Sequence, residues 1–113
     1  MYCFDIVLTD IDREKYVVEY NQAIIGSGFS LLESDEKKHV EKAAFRFQQV
    51  VEFADRKHPK LRLPIEKAYL GLARAFALLG DKQQALKSRA EYLRKYRRGV
   101  FRKEITKLPP RKF

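Results

Sequence analysis

Apolar residues recur every three or four positions along most of the chain, the spacing that places them on one face of an α-helix. The clearest run follows Ser34 and Asp35, either of which suits the N-cap of a helix. Its apolar positions are Val40, Ala43, Ala44, Phe47, Val50, Val51 and Ala54. This periodicity persists for about four turns and predicts a helix with one buried face.

A weaker pattern precedes this run. We expect a helix that starts at Asp10 or Asp12 and continues through two glycines to Leu32. The residues on its apolar face would be Tyr16, Tyr20 and Ile24. Alternation of period two, the mark of a half-buried strand, is limited to a hint near residues 2–8.

Prolines and glycines divide the second half of the chain. Pro59 and Pro64 disfavour helical backbone at the residues before them, so a break is expected there and a third helix near Pro64. Gly80 follows the last apolar position of that helix, where a left-handed residue commonly stands. Asp81 and Gln84 form a variant capping box that starts a fourth helix. The apolar stripe of the fourth helix is predicted to be Ala85, Leu86, Arg89, Tyr92, Leu93 and Tyr96.

The third and fourth helices together resemble a tetratricopeptide repeat. The matching positions are Tyr69, Leu72, Ala73, Phe76, Gly80, Asp81, Ala85 and Tyr92. A fainter copy lies 42 residues earlier, where Ala43 corresponds to Ala85. The ordinary repeat is about 34 residues long, and the longer spacing with His58-Pro59 resembles the repeats of kinesin light chains. The first helix of the earlier copy is expected over residues 27–34.

This resemblance implies an all-α fold of antiparallel helical hairpins, stacked as a short tetratricopeptide-like array. We expect residues 1–96 to form the helical domain and residues 97–113 a basic C-terminal tail. The first helices of such hairpins line a concave face that suits a peptide or a partner helix. Tyr69 and Arg74 are the candidate partner-binding residues on that face.

Charge is distributed unevenly along the chain. Residues 1–88 hold 14 lysines and arginines against 13 acidic residues, whereas residues 89–113 hold 10 against two. The candidate polyanion-binding residues are Arg94, Lys95, Arg97, Arg98, Arg102 and Lys103. Three explanations stay open: a nucleic-acid backbone, an acidic protein partner, or a solvated helix end whose cations complement the helix dipole.

The remaining chemistry-bearing residues do not assemble into a catalytic or metal motif. Cys3 has no histidine near it in sequence, and His39 and His58 have no third ligand at metal spacing. Gly26-Ser27-Gly28 lacks the lysine of a phosphate-binding loop. We therefore expect no enzyme activity, no cofactor and no metal.

The sequence thus predicts a non-catalytic protein-interaction module, an adaptor or chaperone-like subunit with a protein partner or self-association. The alternative is a small basic helical protein that binds nucleic acid non-specifically through its C-terminal segment. No apolar run reaches the length of a membrane helix and no signal peptide is recognisable, so a cytoplasmic protein without membrane contact is expected.

Overall fold

A computed structural model describes residues 10–54 and 57–113 of the chain, with side chains described from residue 15 onward. This part of the chain is helical and contains no strand, which confirms the all-α prediction. The helices are α1 (Asp10–Leu32), α2 (Lys37–Phe53), a single 3-10 turn (Pro59–Leu61), α3 (Arg62–Leu78), α4 (Lys82–Lys95) and α5 (Arg102–Thr106).

The long helices pack on one another in chain order. α2 packs against both α1 and α3, α3 packs against α4, and α1 also touches α3. Short connections join α1 to α2 and α3 to α4, so each pair forms a hairpin. As predicted, the apolar stripe of α2 is buried between the hairpins, with Val40, Ala43 and Phe47 fully enclosed.

Phe47 is at the centre of this packing. Its ring meets Phe29 of α1 edge-on, with the centroids 5.0 Å apart. On the other side the ring lies directly over Gly71 of α3, where an added Cβ would collide with it. A glycine at this position therefore lets α3 approach α2 closely, and the aromatic ring fills the space between three helices.

The turn between α3 and α4 follows the sequence prediction. Gly80 has φ +79°, a left-handed conformation that glycine adopts without steric cost. The Asp81 side chain accepts a hydrogen bond from the backbone N–H of Gln84 at 3.2 Å. This cap satisfies one of the backbone donors that the first turn of a helix leaves unpaired.

Two predicted helix starts are wrong. Glu36, and not Ser34 or Asp35, is the N-cap of α2, because the Ser34 hydroxyl instead accepts from the Glu36 N–H at 3.1 Å. α3 begins at Arg62, two residues before Pro64, since the 3-10 turn runs directly into it. The helix expected over residues 27–34 is the end of the longer α1.

Several aromatic and apolar side chains are also more exposed than the pattern suggested. Tyr16 and Tyr20, assigned to the apolar face of the first helix, each expose more than half of their surface. Phe45 and Phe53, which lie outside the predicted stripe of α2, do so as well. Leu86, assigned to the stripe of α4, faces outward, and the buried positions of that helix are Ala85, Ser88 and Tyr92. The buried face of α4 is narrow because only α3 and the last residues of the chain cover this helix.

The C-terminal segment, residues 97–113, packs against the preceding helices. Ile105 of α5 is fully buried, and Phe101, Leu108 and Phe113 lie against the core. The backbone N–H of Lys112 donates to the carbonyl of Leu78 at 2.9 Å, which caps the end of α3. A division of the chain into residues 1–96 and 97–113 remains a prediction, although these contacts join the two parts.

Candidate partner-binding groove

A groove with a volume of about 440 Å³ runs between α1 and α3. We call it the α1–α3 groove. It is lined by Gln22, Ile25, Gly26, Phe29, Leu63, Pro64, Lys67, Leu70 and Phe101. This volume lies within the usual range for sites that enclose a small ligand or a few side chains.

Helical spacing explains why these residues line one groove. The α1 members are three, four and seven positions from Gln22, which places them on one face of the helix. On α3, Lys67 and Leu70 lie four and seven positions from Leu63, and Pro64 is adjacent to it. Ile25 and Leu70 form the buried floor, while Gln22 and Lys67 stand exposed at the rim. An apolar floor with a polar rim is the usual composition of a protein-binding surface.

Gly26 keeps the groove open. A Cβ built at this position would meet no other atom within 4 Å. A side chain placed there would extend into the groove and occupy its volume. Leu63 on the opposite wall is 46% exposed, so its side chain adds apolar surface to the groove.

Phe101 closes one end of the groove and is positioned by a buried polar cluster. The Tyr92 hydroxyl donates to Oε1 of Glu66 at 2.6 Å. The backbone N–H of Val100 donates to the same Glu66 oxygen at 3.0 Å, and the N–H of Phe101 donates to the Tyr92 hydroxyl at 2.9 Å. Two side chains of the helical hairpin thus fix the backbone that carries Phe101.

Glu66 lies deep in this cluster, with 2% of its surface exposed. Arg62, one turn earlier on α3, reaches its second oxygen at 3.3 Å. Burial raises the pKa of Tyr92, and its hydrogen bond to Glu66 raises it further because that bond needs the phenolic proton. The carboxylate thus has hydrogen-bond donors on both oxygens, which offsets the cost of burying it.

The structure places the two predicted partner-binding residues differently. Tyr69 has no exposed surface and packs against Tyr92 and Tyr96, so this residue belongs to the core in this conformation. Arg74 is half-buried on the same α1–α3 seam. It lines a second depression of about 370 Å³, which adjoins the groove at Phe29.

The six predicted polyanion-binding residues fall into two groups. Arg94, Arg97, Arg98, Arg102 and Lys103 are exposed at the end of α4 and around α5. Lys95 is engaged within the protein, since its ammonium donates to the Tyr69 hydroxyl at 2.9 Å and lies 4.0 Å from Glu91. The structure therefore brings five of the six to the surface.

Sequence reasoning missed most of the groove. The sequence predicts that Gly26 lies within the first helix but gives it no role in a groove, and the Lys67 and Phe101 positions carry no local signal. The spacing of Gly26 and Phe29 along α1 was visible, but which face of α1 meets α3 depends on long-range packing. Cys3, assigned no role, lies outside the described residues.

The described residues hold no group of three or more His, Cys, Asp or Glu side chains that could bind a metal ion. None of the helices in the described ranges has the length and apolar content that crossing a bilayer requires. Comparisons with protein-family models, curated proteins and solved structures find no match to this chain.

Proposed function

We propose that this protein is a non-catalytic interaction module, an adaptor or chaperone-like subunit that binds a peptide or helix of a partner in the α1–α3 groove. The observation that carries the proposal is the open apolar groove at Gly26. If the two hairpins form a tetratricopeptide-like array, α1 and α3 are their first helices. The first helices line the binding face of such arrays.

The lining of the groove indicates the chemistry of the partner. Ile25, Phe29 and Leu70 offer a floor for apolar side chains, and Lys67 at the rim can pair with a partner carboxylate. An amphipathic helix with apolar anchors at positions i and i+3 or i+4 presents side chains in this arrangement. The cytoplasm, where such modules commonly act, is part of this proposal.

Selection of phage-displayed peptides of about 12 residues against the purified intact protein tests the proposal. Peptides with paired apolar anchors and an adjacent acidic residue are expected, and their binding should be lost in Gly26→Leu, which fills the groove. Ala23→Leu is the matched control, because Ala23 is exposed on α1 and does not line the groove. Peptides that bind both variants equally well would show that the groove is not the site.

A second candidate function, non-specific nucleic-acid binding, is supported by a contact at one end of the molecule. The guanidinium of Arg62 lies 5.9 Å from the centre of the Tyr96 ring. This contact brings the 3-10 turn and the start of α3 next to the basic end of α4. The exposed cations at the end of α4, Arg94, Arg97 and Arg98, favour contact with a phosphate backbone.

A further inference from the structure

A second cleft lies between α4 and the C-terminal segment. Its volume is about 460 Å³, and we call it the α4 cleft. Its lining residues are Ala77, Gly80, Lys82, Ala85, Leu86, Arg89, Thr106, Leu108, Pro109, Pro110 and Arg111. Three of them are cations and none is acidic.

The floor of the α4 cleft is apolar, and its cations stand at the two ends. Lys82, Ala85, Leu86 and Arg89 are spaced i, i+3, i+4 and i+7, so they form one stripe of α4. Seven residues of helix separate the backbones of Lys82 and Arg89 by about 10 Å. Leu86 and Leu108 contribute apolar surface to the cleft between these ends.

The C-terminal segment runs antiparallel to α4 and adds the third cation. The Arg111 side chain packs over Gly80, where an added Cβ would lie 2.7 Å from its Cδ. Hydrogen bonds from Lys112 and Phe113 to the Leu78 carbonyl hold this end of the segment in place. Arg111 thus lies at the same end of the cleft as Lys82. Thr106 lies at the other end, with Arg89.

Asp81, the N-cap of α4, directly precedes Lys82 at one end of the cleft. Among the described residues, no ion pair involves Lys82, Arg89 or Arg111. The Arg111 Nε donates to the backbone oxygen of Phe113, so Lys82 and Arg89 are the cations that remain for a partner. A partner that supplies carboxylates at both ends of the cleft would complement this arrangement.

We infer that the α4 cleft binds a short acidic peptide in an extended, polyproline-II-like conformation, with acidic residues at positions i and i+3. In that conformation three residues complete one turn and advance about 9 Å, so both carboxylates lie on one face at the spacing of the cations. Pro109 and Pro110 have no N–H to donate, which disfavours pairing of a strand with this part of the segment.

This inference does not rest on the proposed function, because the α4 cleft and the α1–α3 groove share no lining residue. Failure of the peptide selection at Gly26 would leave it intact. Conversely, a variant of Arg89 is expected to leave binding at the α1–α3 groove unchanged. Each of the two proposals can therefore be refuted without refuting the other.

Fluorescence anisotropy of a labelled peptide with the core Glu-Leu-Pro-Glu tests the inference on the full chain. Arg89→Glu is expected to weaken binding at least about tenfold, since it replaces attraction by repulsion at one end of the cleft. Lys87→Glu is the matched control: it lies on α4, is exposed and does not line the cleft, and binding should stay within about twofold. A Gln-Leu-Pro-Gln peptide should bind at least about tenfold more weakly than the acidic one.

Each contrary result has a definite meaning. Equal losses in Arg89→Glu and Lys87→Glu, or equal binding of the Gln peptide, would overturn the inference. Displacement of the peptide by oligothymidylate at lower concentration than by unlabelled peptide would assign the cleft to nucleic acid instead. If Arg89→Glu lowers the thermal midpoint, the exposed Lys82→Glu variant replaces it and should give the same loss.

Discussion

Tyr92 and Glu66 are 26 residues apart, and their side chains form a hydrogen bond of 2.6 Å inside the protein. The same two groups accept hydrogen bonds from the backbone of Val100 and Phe101. A single pair of side chains therefore joins α3, α4 and the C-terminal segment. Phe101, which closes the α1–α3 groove, depends on this pair for its position.

Removal of the Tyr92 hydroxyl is the direct test of this linkage. Tyr92→Phe should destabilise the protein by about 1–3 kcal/mol, because Glu66 and the Phe101 N–H each lose a partner within the core. Denaturant unfolding measures the change, and amide hydrogen exchange at Phe101 should become faster. Tyr20→Phe, at an exposed tyrosine, should have no measurable effect on either quantity.

The titration of Tyr92 gives a second test of the same pair. Its pKa is raised in the folded state, so its contribution to stability is complete below the ordinary tyrosine pKa of about 10. That contribution is lost as pH rises above this value, because the unfolded chain releases the proton more readily. Absorbance titration of the native protein and of Tyr92→Phe should therefore agree near pH 10 and diverge only at higher pH.

Gly99 should tolerate no side chain. An added Cβ would lie 2.7 Å from Oε1 of Glu66 and would also collide with the Tyr92 hydroxyl. Gly99→Ala is expected to destabilise the protein by about 1–3 kcal/mol, as overpacking does at tight sites. Gly26→Ala, which enters open space within α1, should instead stabilise it by about 0.5–1 kcal/mol. Thermal or denaturant unfolding measures the change in stability of both variants. Changes of the same sign in the two variants would contradict the prediction.

A salt bridge joins the end of the chain to the α1–α2 turn. The Lys112 ammonium lies 2.9 Å from the Asp35 carboxylate and donates to the Ser34 carbonyl at 3.1 Å. The hydrogen bond and charge of Lys112 lower the pKa of Asp35. The stabilisation from this pair is thus present above the ordinary value of 3.8 and is lost as pH falls through the lowered pKa.

Carbon-13 NMR titration of the Asp35 carboxyl checks this pair. Lys112→Gln should raise the pKa of Asp35 toward 3.8, since the partner charge is gone. Lys38→Gln removes an exposed cation that lies 3.5 Å from Glu36, and it should leave the Asp35 titration unchanged. An Asp35 pKa that is the same in all three proteins would show that the contact does not persist in solution.

The nucleic-acid candidate makes a prediction about salt. If the exposed basic residues follow a phosphate backbone, neutralising five to seven phosphates, log affinity for duplex DNA should fall with log salt at a slope of about −5 to −6. Binding should not depend on base sequence, because phosphate contacts carry no sequence information. Replacing Arg97, Arg98 and Arg102 together by glutamine should lower the affinity for DNA. Absence of binding to DNA and RNA at about 50 mM salt would remove this candidate.

The sequence alone determined the local structure of this protein. The period of the apolar residues specified α2 and α3, and the chemistry of Gly80 and Asp81 specified the turn before α4. Each of these signals acts within about one or two helical turns, through backbone conformation and nearby hydrogen bonds. The N-cap of α2 and the first residue of α3 each lie within two residues of the predicted position, since the local signals at both places extend over several adjacent residues.

Only the tertiary structure decided where residues 97–113 lie and what they contact. Their basic composition suggested a tail for a polyanion, but Ile105 is buried and Phe101 lines a groove. Nothing in the sequence near Glu66 indicates that its side chain is buried beside Tyr92, 26 residues later. Contacts between residues 26 to 78 positions apart depend on how whole helices pack, and no short stretch of sequence encodes that arrangement.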